Sequence, residues 1–258
     1  MIPKSGHRFS EKIMLHQYRT FKKRDPMPPQ IQATDLKQAF QQARDFEGSM
    51  NERLALFVES VRRIRPASEA VVDRLVARLH EHKAGENAPK PGDPMPLFVL
   101  PDETGRMVSL TDLLTHGPAV VTFHRGHWCP YCRISINTLA RAQLRIQALG
   151  ARMVAIVPDR QQFAAEMKND SGVNFPILTD MDNGYAMSLN LAIWVGAEMK
   201  DYMTSIGRIL PDYQGNDSWI LPIPATFVVG QDGRIRACFT DPDYRQRMTI
   251  EELIKALQ

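Results

Sequence analysis

The stretch that decides this chain is Ala119-Val120-Val121-Thr122-Phe123-His124-Arg125-Gly126-His127-Trp128-Cys129-Pro130-Tyr131-Cys132. Its first five residues are apolar or β-branched and read as a buried strand. A polar loop follows, then a cysteine, a proline and a helical run. Proline is favoured in the first turn of a helix, where its missing N–H would have no partner in any case. Cys129 therefore falls at or near the N-cap. There the unpaired N–H groups and the positive end of the helix dipole favour an anion.

Cys132 lies one turn further on the same helix face, within reach of a disulfide. His124, Arg125, His127 and Arg133 add positive or polarisable groups nearby. The spacing predicts a lowered pKa at Cys129 and a raised one at the more buried Cys132. In that arrangement Cys129 attacks, and Cys132 resolves the sulfenic acid or mixed disulfide that results. A structural zinc site normally takes four Cys or His ligands. The chain has no second C-x-x-C, and His124 and His127 share one tight loop, so no metal or other cofactor is expected. The third cysteine, Cys238, sits in an apolar run and reads as a small core residue.

Outward from this motif, residues 31–84 look helical. Leu36, Ala39, Phe40, Ala43 and Phe46 share one face, as do Leu54, Phe57, Val58 and Val61, then Val72, Leu75, Val76 and Leu79. Gly48 and Pro66 punctuate the three segments, with Ser68 as the expected N-cap of the third. Residues 85–96 hold four prolines and two glycines and cannot continue a helix. They read as a linker into a domain spanning 97–258, and residues 1–30 as a basic, flexible tail.

That domain opens with a β-hairpin about the turn Asp102–Gly105. Strand 119–123 follows, then a helix of about five turns carrying Ile134, Leu139, Leu144 and Leu149. Next come strand 153–157, helix 160–169, strand 176–178 and a short helix near 182–190. Residues 193–221 look less regular. A hairpin of strands 226–229 and 235–239 and a final helix capped by Thr249 and Glu252 complete the order. The expected fold class is α/β: a mixed central sheet with helices on both faces, the thioredoxin-like architecture with an N-terminal hairpin.

The net charge of +3 is too small to argue for nucleic acid, and no stretch has the apolar length of a membrane helix. The first thirty residues contain no apolar signal core, so a cytoplasmic location is expected. In that compartment a C-x-x-C is redox-active or metal-binding rather than structural.

From Pro91 onward the chain resembles the peroxiredoxin-like branch of the alkyl hydroperoxide reductase/thiol-specific antioxidant family. The matching pieces are Gly92-Asp93-x-x-Pro96-x-Phe98-x-Leu100 and Arg125-Gly126-x-Trp128-Cys129-Pro130-Tyr131-Cys132. Leu221-Pro222-Ile223-Pro224-Ala225-Thr226-Phe227, and Asp243-Tyr244 followed by Arg247, match further on. The resemblance implies a peroxidatic cysteine at Cys129 that reduces hydrogen peroxide or organic hydroperoxides, re-reduced by thioredoxin or a similar dithiol. A homodimer is a family expectation.

Two features depart from the family pattern. Its Pro and Thr/Ser positions before the cysteine hold Thr122 and Gly126, so the usual hydroxyl is missing. Its arginine before the last hairpin is replaced by Ile223-Pro224-Ala225-Thr226-Phe227, with Arg125 as a substitute. That run looks like the thioredoxin proline loop. It would place a cis-Pro224 opposite the cysteines and leave the Ile223 backbone free to pair with an extended disulfide-bearing chain. Trp128 and Tyr131 either shape access to Cys129 or serve packing. The leading reading is a thiol peroxidase, in which Cys132 closes a disulfide onto the Cys129 sulfenic acid. The rival is a thiol-disulfide oxidoreductase acting on protein or small disulfides. A non-enzymatic redox sensor is a third.

Overall fold

The structure is a computed structural model and describes residues 33–258; the tail expected over 1–30 lies outside them. Three helices come first: α1 (Leu36–Asp45), α2 (Met50–Ile64) and α3 (Pro66–Glu81). Asp35 caps α1 by accepting from the Gln38 N–H, and Ser49 with Glu52 forms a reciprocal capping box on α2. The third helix starts at Pro66, not after Ser68 as expected. Proline at N1 presets the helical backbone, and the Ser68 hydroxyl donates instead to the Arg65 carbonyl at 2.8 Å.

The short strands β1 (Val99–Pro101) and β2 (Met107–Ser109) pair antiparallel as the first hairpin, followed by helix α4 (Leu110–Thr115). Then come β3 (Ala119–Phe123), α5 (Pro130–Ala148), β4 (Arg152–Val157), α6 (Gln161–Ser171), β5 (Ile177–Thr179) and α7 (Gly184–Ser188). After β6 (Ala192–Trp194), α8 (Ala197–Ser205), α9 (Leu210–Gln214) and β7 (Ile220–Pro222), the chain closes with β8 (Ala225–Val229), β9 (Ile235–Thr240) and α10 (Ile250–Leu257). The stretch read as irregular thus contains two helices and a second antiparallel pair, β6 with β7. Those strands are three residues each, too short for an alternating pattern to show.

The main sheet has the order β5-β4-β3-β8-β9. Strand β3 is in the middle, parallel to β4 and antiparallel to β8, and all five of its residues are buried. Its side chains alternate between two cores. Val120 joins the face covered by α5 and the three N-terminal helices, while Val121 and Phe123 join the face under α4 and α7. Ile134 and Leu139 point from α5 into the first of these, but Leu144, expected there, is 73% exposed. Cys238 is half-buried and packs against the second.

Both outer strands meet flanking chain, β5 at Ile177 and Leu178 and β9 at Ile235. Beside β9, the Gly92 and Met95 N–H groups donate to the carbonyls of Ile235 and Gly233, and Ile235 N–H donates to Asp93. The proline-rich segment is therefore laid against the sheet. Beside β5, Asp102 bridges to Leu178 and the Glu103 carboxylate accepts from the Ile177 N–H at 3.1 Å.

Arg53 joins the N-terminal helices to α5. Its side chain is fully buried, and burial pulls its guanidinium down to about 10. It donates to the carbonyls of Ala43 and Arg44, to Thr138 Oγ1, and to Asn137 Oδ1 at 2.6 Å. Arg53→Met removes donors from several buried acceptors at once. It is expected to destabilise the protein by about 3 kcal/mol, read from the denaturant midpoint, with earlier proteolysis in residues 33–84.

Candidate active site

The site lies at the C-terminal ends of β3 and β4, where open α/β sheets present their ligands. The loop from β3 continues the ladder for one residue, with His124 N–H donating to Ile156 at 2.9 Å. It then turns at Gly126, whose φ of 131° is open to glycine. The Gly126 carbonyl accepts the Cys129 N–H at 3.2 Å, and Cys129 is the N-cap of α5 with Pro130 at N1. The sequence-derived placement of both residues holds.

Both cysteines are free and buried, Cys129 at 1% exposure. Cys132 Sγ accepts from the Arg125 backbone N–H at 3.3 Å and has Arg247 Nη2 at 3.7 Å. Burial alone would raise the Cys129 pKa. Hydrogen bonding from Cys132 and the charges of Arg125 and Arg247 outweigh it and bring the thiol down to about 5. Cys132 moves the other way, raised by burial, by its hydrogen bond to Cys129 and by that neighbour's charge.

Arg125 is buried, with its guanidinium carbon 3.8 Å from the Tyr244 ring centre and 5.0 Å from that of Trp128. With Leu75, Leu79, Pro224 and Tyr244 it lines a small pocket. Tyr131 is wedged edge-on between Phe57 and Tyr244, at centroid distances of 5.0 and 5.3 Å. The two histidines do not converge on the sulfurs. His124 is bonded to Thr122 Oγ1, and burial, with Arg247 nearby, pulls it down to about 3, so it stays neutral. His127 faces Asp170 at 3.0 Å, as does Arg133 at 2.6 Å.

The expected proline loop is not formed. No described residue has a cis peptide, so Pro224 is trans. The Ile223 backbone is not free either: its N–H donates to Leu191 at 2.7 Å, because the β6–β7 pair covers that side.

Two neighbours were not among the expected site residues. Arg247 arrives on the segment after β9, with Nη1 donating to the carbonyls of Tyr244 and Gln246. That segment is tied to α3 by Arg245, 2.8 Å from Glu69 and 2.9 Å from Asp73. The Asp243-Tyr244-x-x-Arg247 string was the available signal. Asp159, just past β4, is fully buried and accepts the His127 N–H on Oδ2 at 2.6 Å. An acidic residue directly after a buried parallel strand was its only mark.

Residues 91–238 match the model of the AhpC/TSA family. The chain is 24% identical over 153 residues to the thiol-disulfide oxidoreductase ResA of Bacillus subtilis, covering 59% of this chain and 68% of that protein. It is 29% identical over 147 residues to a Mycobacterium tuberculosis protein provisionally named a peroxiredoxin, covering 56% and 81%. Among solved structures, peroxidoxin BcpB of M. tuberculosis aligns with a TM-score of 0.51 at 20% identity, over 66% of this chain and 96% of that one. Reduced Prx3 of Vibrio vulnificus in complex with hydrogen peroxide aligns with a TM-score of 0.52 at 12% identity, over 65% and 98%. The fold is thus thioredoxin-like, and both peroxiredoxins and thiol-disulfide oxidoreductases are among the relatives.

Thiolate absorbance followed against pH is expected to give a Cys129 midpoint near 5, with the thiolate present above it and lost as pH falls through it. Cys132→Ala removes the hydrogen bond and should move the midpoint up; an unchanged midpoint would show that the arginines suffice. Gly126→Ala would place a Cβ 2.5 Å from Asp159 Oδ1 at a left-handed φ. It is expected to lower the melting temperature in calorimetry and to slow alkylation of Cys129.

Proposed function

Within the AhpC/TSA family, to which this chain belongs, we propose that it is a thiol peroxidase reducing hydrogen peroxide or organic hydroperoxides. The observation that carries this reading is a buried, anionic Cys129 with Arg125 and Arg247 beside the sulfur pair. The arginines favour the negative charge that grows on oxygen as the O–O bond breaks. Cys129 attacks and becomes a sulfenic acid. Cys132, one turn along α5, then displaces water and closes the disulfide. A thioredoxin-type dithiol returns both thiols.

The C-x-x-C itself and the likeness to a thiol-disulfide oxidoreductase favour a second reading, exchange with protein or small disulfides. The trans-Pro224 and the engaged Ile223 N–H weigh against it, because an extended substrate finds that donor already taken.

Stopped-flow mixing of reduced protein with hydrogen peroxide or cumene hydroperoxide separates the two. The peroxidase reading expects rapid consumption that falls to the buffer rate in Cys129→Ser. Cys132→Ser should consume a single equivalent and leave a dimedone-reactive sulfenic acid. Slow reaction with both peroxides alongside brisk reduction of insulin would favour the disulfide reading.

A further inference from the structure

Asp159 Oδ1 and Trp128 Nε1 are among the buried polar atoms around the cysteine loop that lack a hydrogen-bond partner, with His124 Nδ1 and Arg247 Nε. The first two crowd one point, since a Cβ built on Gly126 would lie 2.5 Å from Asp159 Oδ1 and 2.6 Å from Trp128 Nε1. Glycine at 126 is what leaves this volume to them. Asp159 is held in place through its other oxygen, which takes the His127 N–H. One oxygen is therefore fixed by the loop that carries Cys129, and the other faces Gly126 of that loop with no hydrogen-bond partner. A buried carboxyl with an unpaired oxygen is costly as an anion and better accommodated with a proton.

We propose that Asp159 is the proton donor of the reaction, delivering its proton to the oxygen that departs when Cys129 attacks. The inference rests on the peroxidase reading above. The Cys129 sulfur bonds to the terminal oxygen of ROOH, and the O–O bond breaks. Sulfur is oxidised to Cys129–SOH, and the electron pair leaves on RO. That oxygen takes the Asp159 proton and departs as an alcohol, or as water from hydrogen peroxide. Cys132–SH and Cys129–SOH then form the disulfide and one water. Reduction by a dithiol returns Cys129 as a thiol, whose ionisation supplies the proton that re-arms Asp159. The Trp128 N–H, facing the same point, holds the oxygen during transfer.

Three groups bear on the Asp159 proton. Burial raises its pKa, the His127 N–H opposes this, and the Cys129 thiolate and Glu166 raise it further, to about 7. The donor is thus present below about pH 7 and lost above it.

The test compares Asp159→Asn with wild type in two reactions of Cys129. Asparagine still accepts from His127 but releases no proton. Cumene hydroperoxide needs a protonated leaving group, whereas iodoacetamide alkylates the thiolate and expels iodide, which needs none. The variant is expected to react with the hydroperoxide on the order of 100-fold more slowly, with alkylation within a few-fold of wild type. Equal rates with the hydroperoxide, or equal losses in both reactions, would overturn the assignment. Should the variant fail to fold, the wild type decides. Its ratio of peroxide to alkylation rate should be flat below pH 7 and drop about tenfold per pH unit above it, and a ratio flat throughout overturns the assignment. Wild-type protein that consumes neither peroxide sinks the peroxidase reading as a whole. A fast wild type with an equally fast variant sinks only the role of Asp159.

Discussion

A thiolate kept away from water must be stabilised by the protein around it, and much of this structure is arranged about that requirement at Cys129. The N-terminus of α5 contributes, but two arginines supply full charges, and each needs its own support. Arg125 lies against the rings of Tyr244 and Trp128. Arg247 directs one nitrogen to nearby carbonyls and another towards Cys132. Its segment is fastened to α3 through Arg245 and Glu69. The N-terminal helices therefore belong to the electrostatics of the site. His124 shows the converse: with cations already present, a buried imidazole stays uncharged.

What the sequence showed plainly was local. The apolar run 119–123, the Cys-Pro step and the helix behind it obey short-range rules, and they placed the nucleophile correctly. The capping box at Thr249 was legible in the same way. Misplacements occurred where two local rules competed, as when Pro66 set the start of α3 in preference to Ser68. They also occurred where strands were too short to display a period, as in β6 and β7.

The partners of the cysteines were hidden for a different reason. Asp159 reaches the loop because β4 lies beside β3, and Arg247 because the chain doubles back after β9. Neither adjacency leaves a trace in spacing. The likeness of residues 223–227 to a proline loop misled for a related reason. The residues match, but the chain beside the β6–β7 pair, outside that run, takes the Ile223 N–H. Motifs report the backbone they sit on more faithfully than the neighbours that pack against it.

The covered β5 edge of the main sheet has a consequence for recognition. An extended peptide often binds by adding itself as one more strand, with main-chain hydrogen bonds supplying affinity whatever the peptide's composition. Here Asp102 and Glu103 occupy the outer side of β5, while residues 92–95 bond β9 at Ile235. A docking protein that leaves Asp102 and Glu103 in place must be read at β5 through side chains and loop surfaces. Its selection on that side then turns on shape and charge, and a permissive backbone ladder plays no part there.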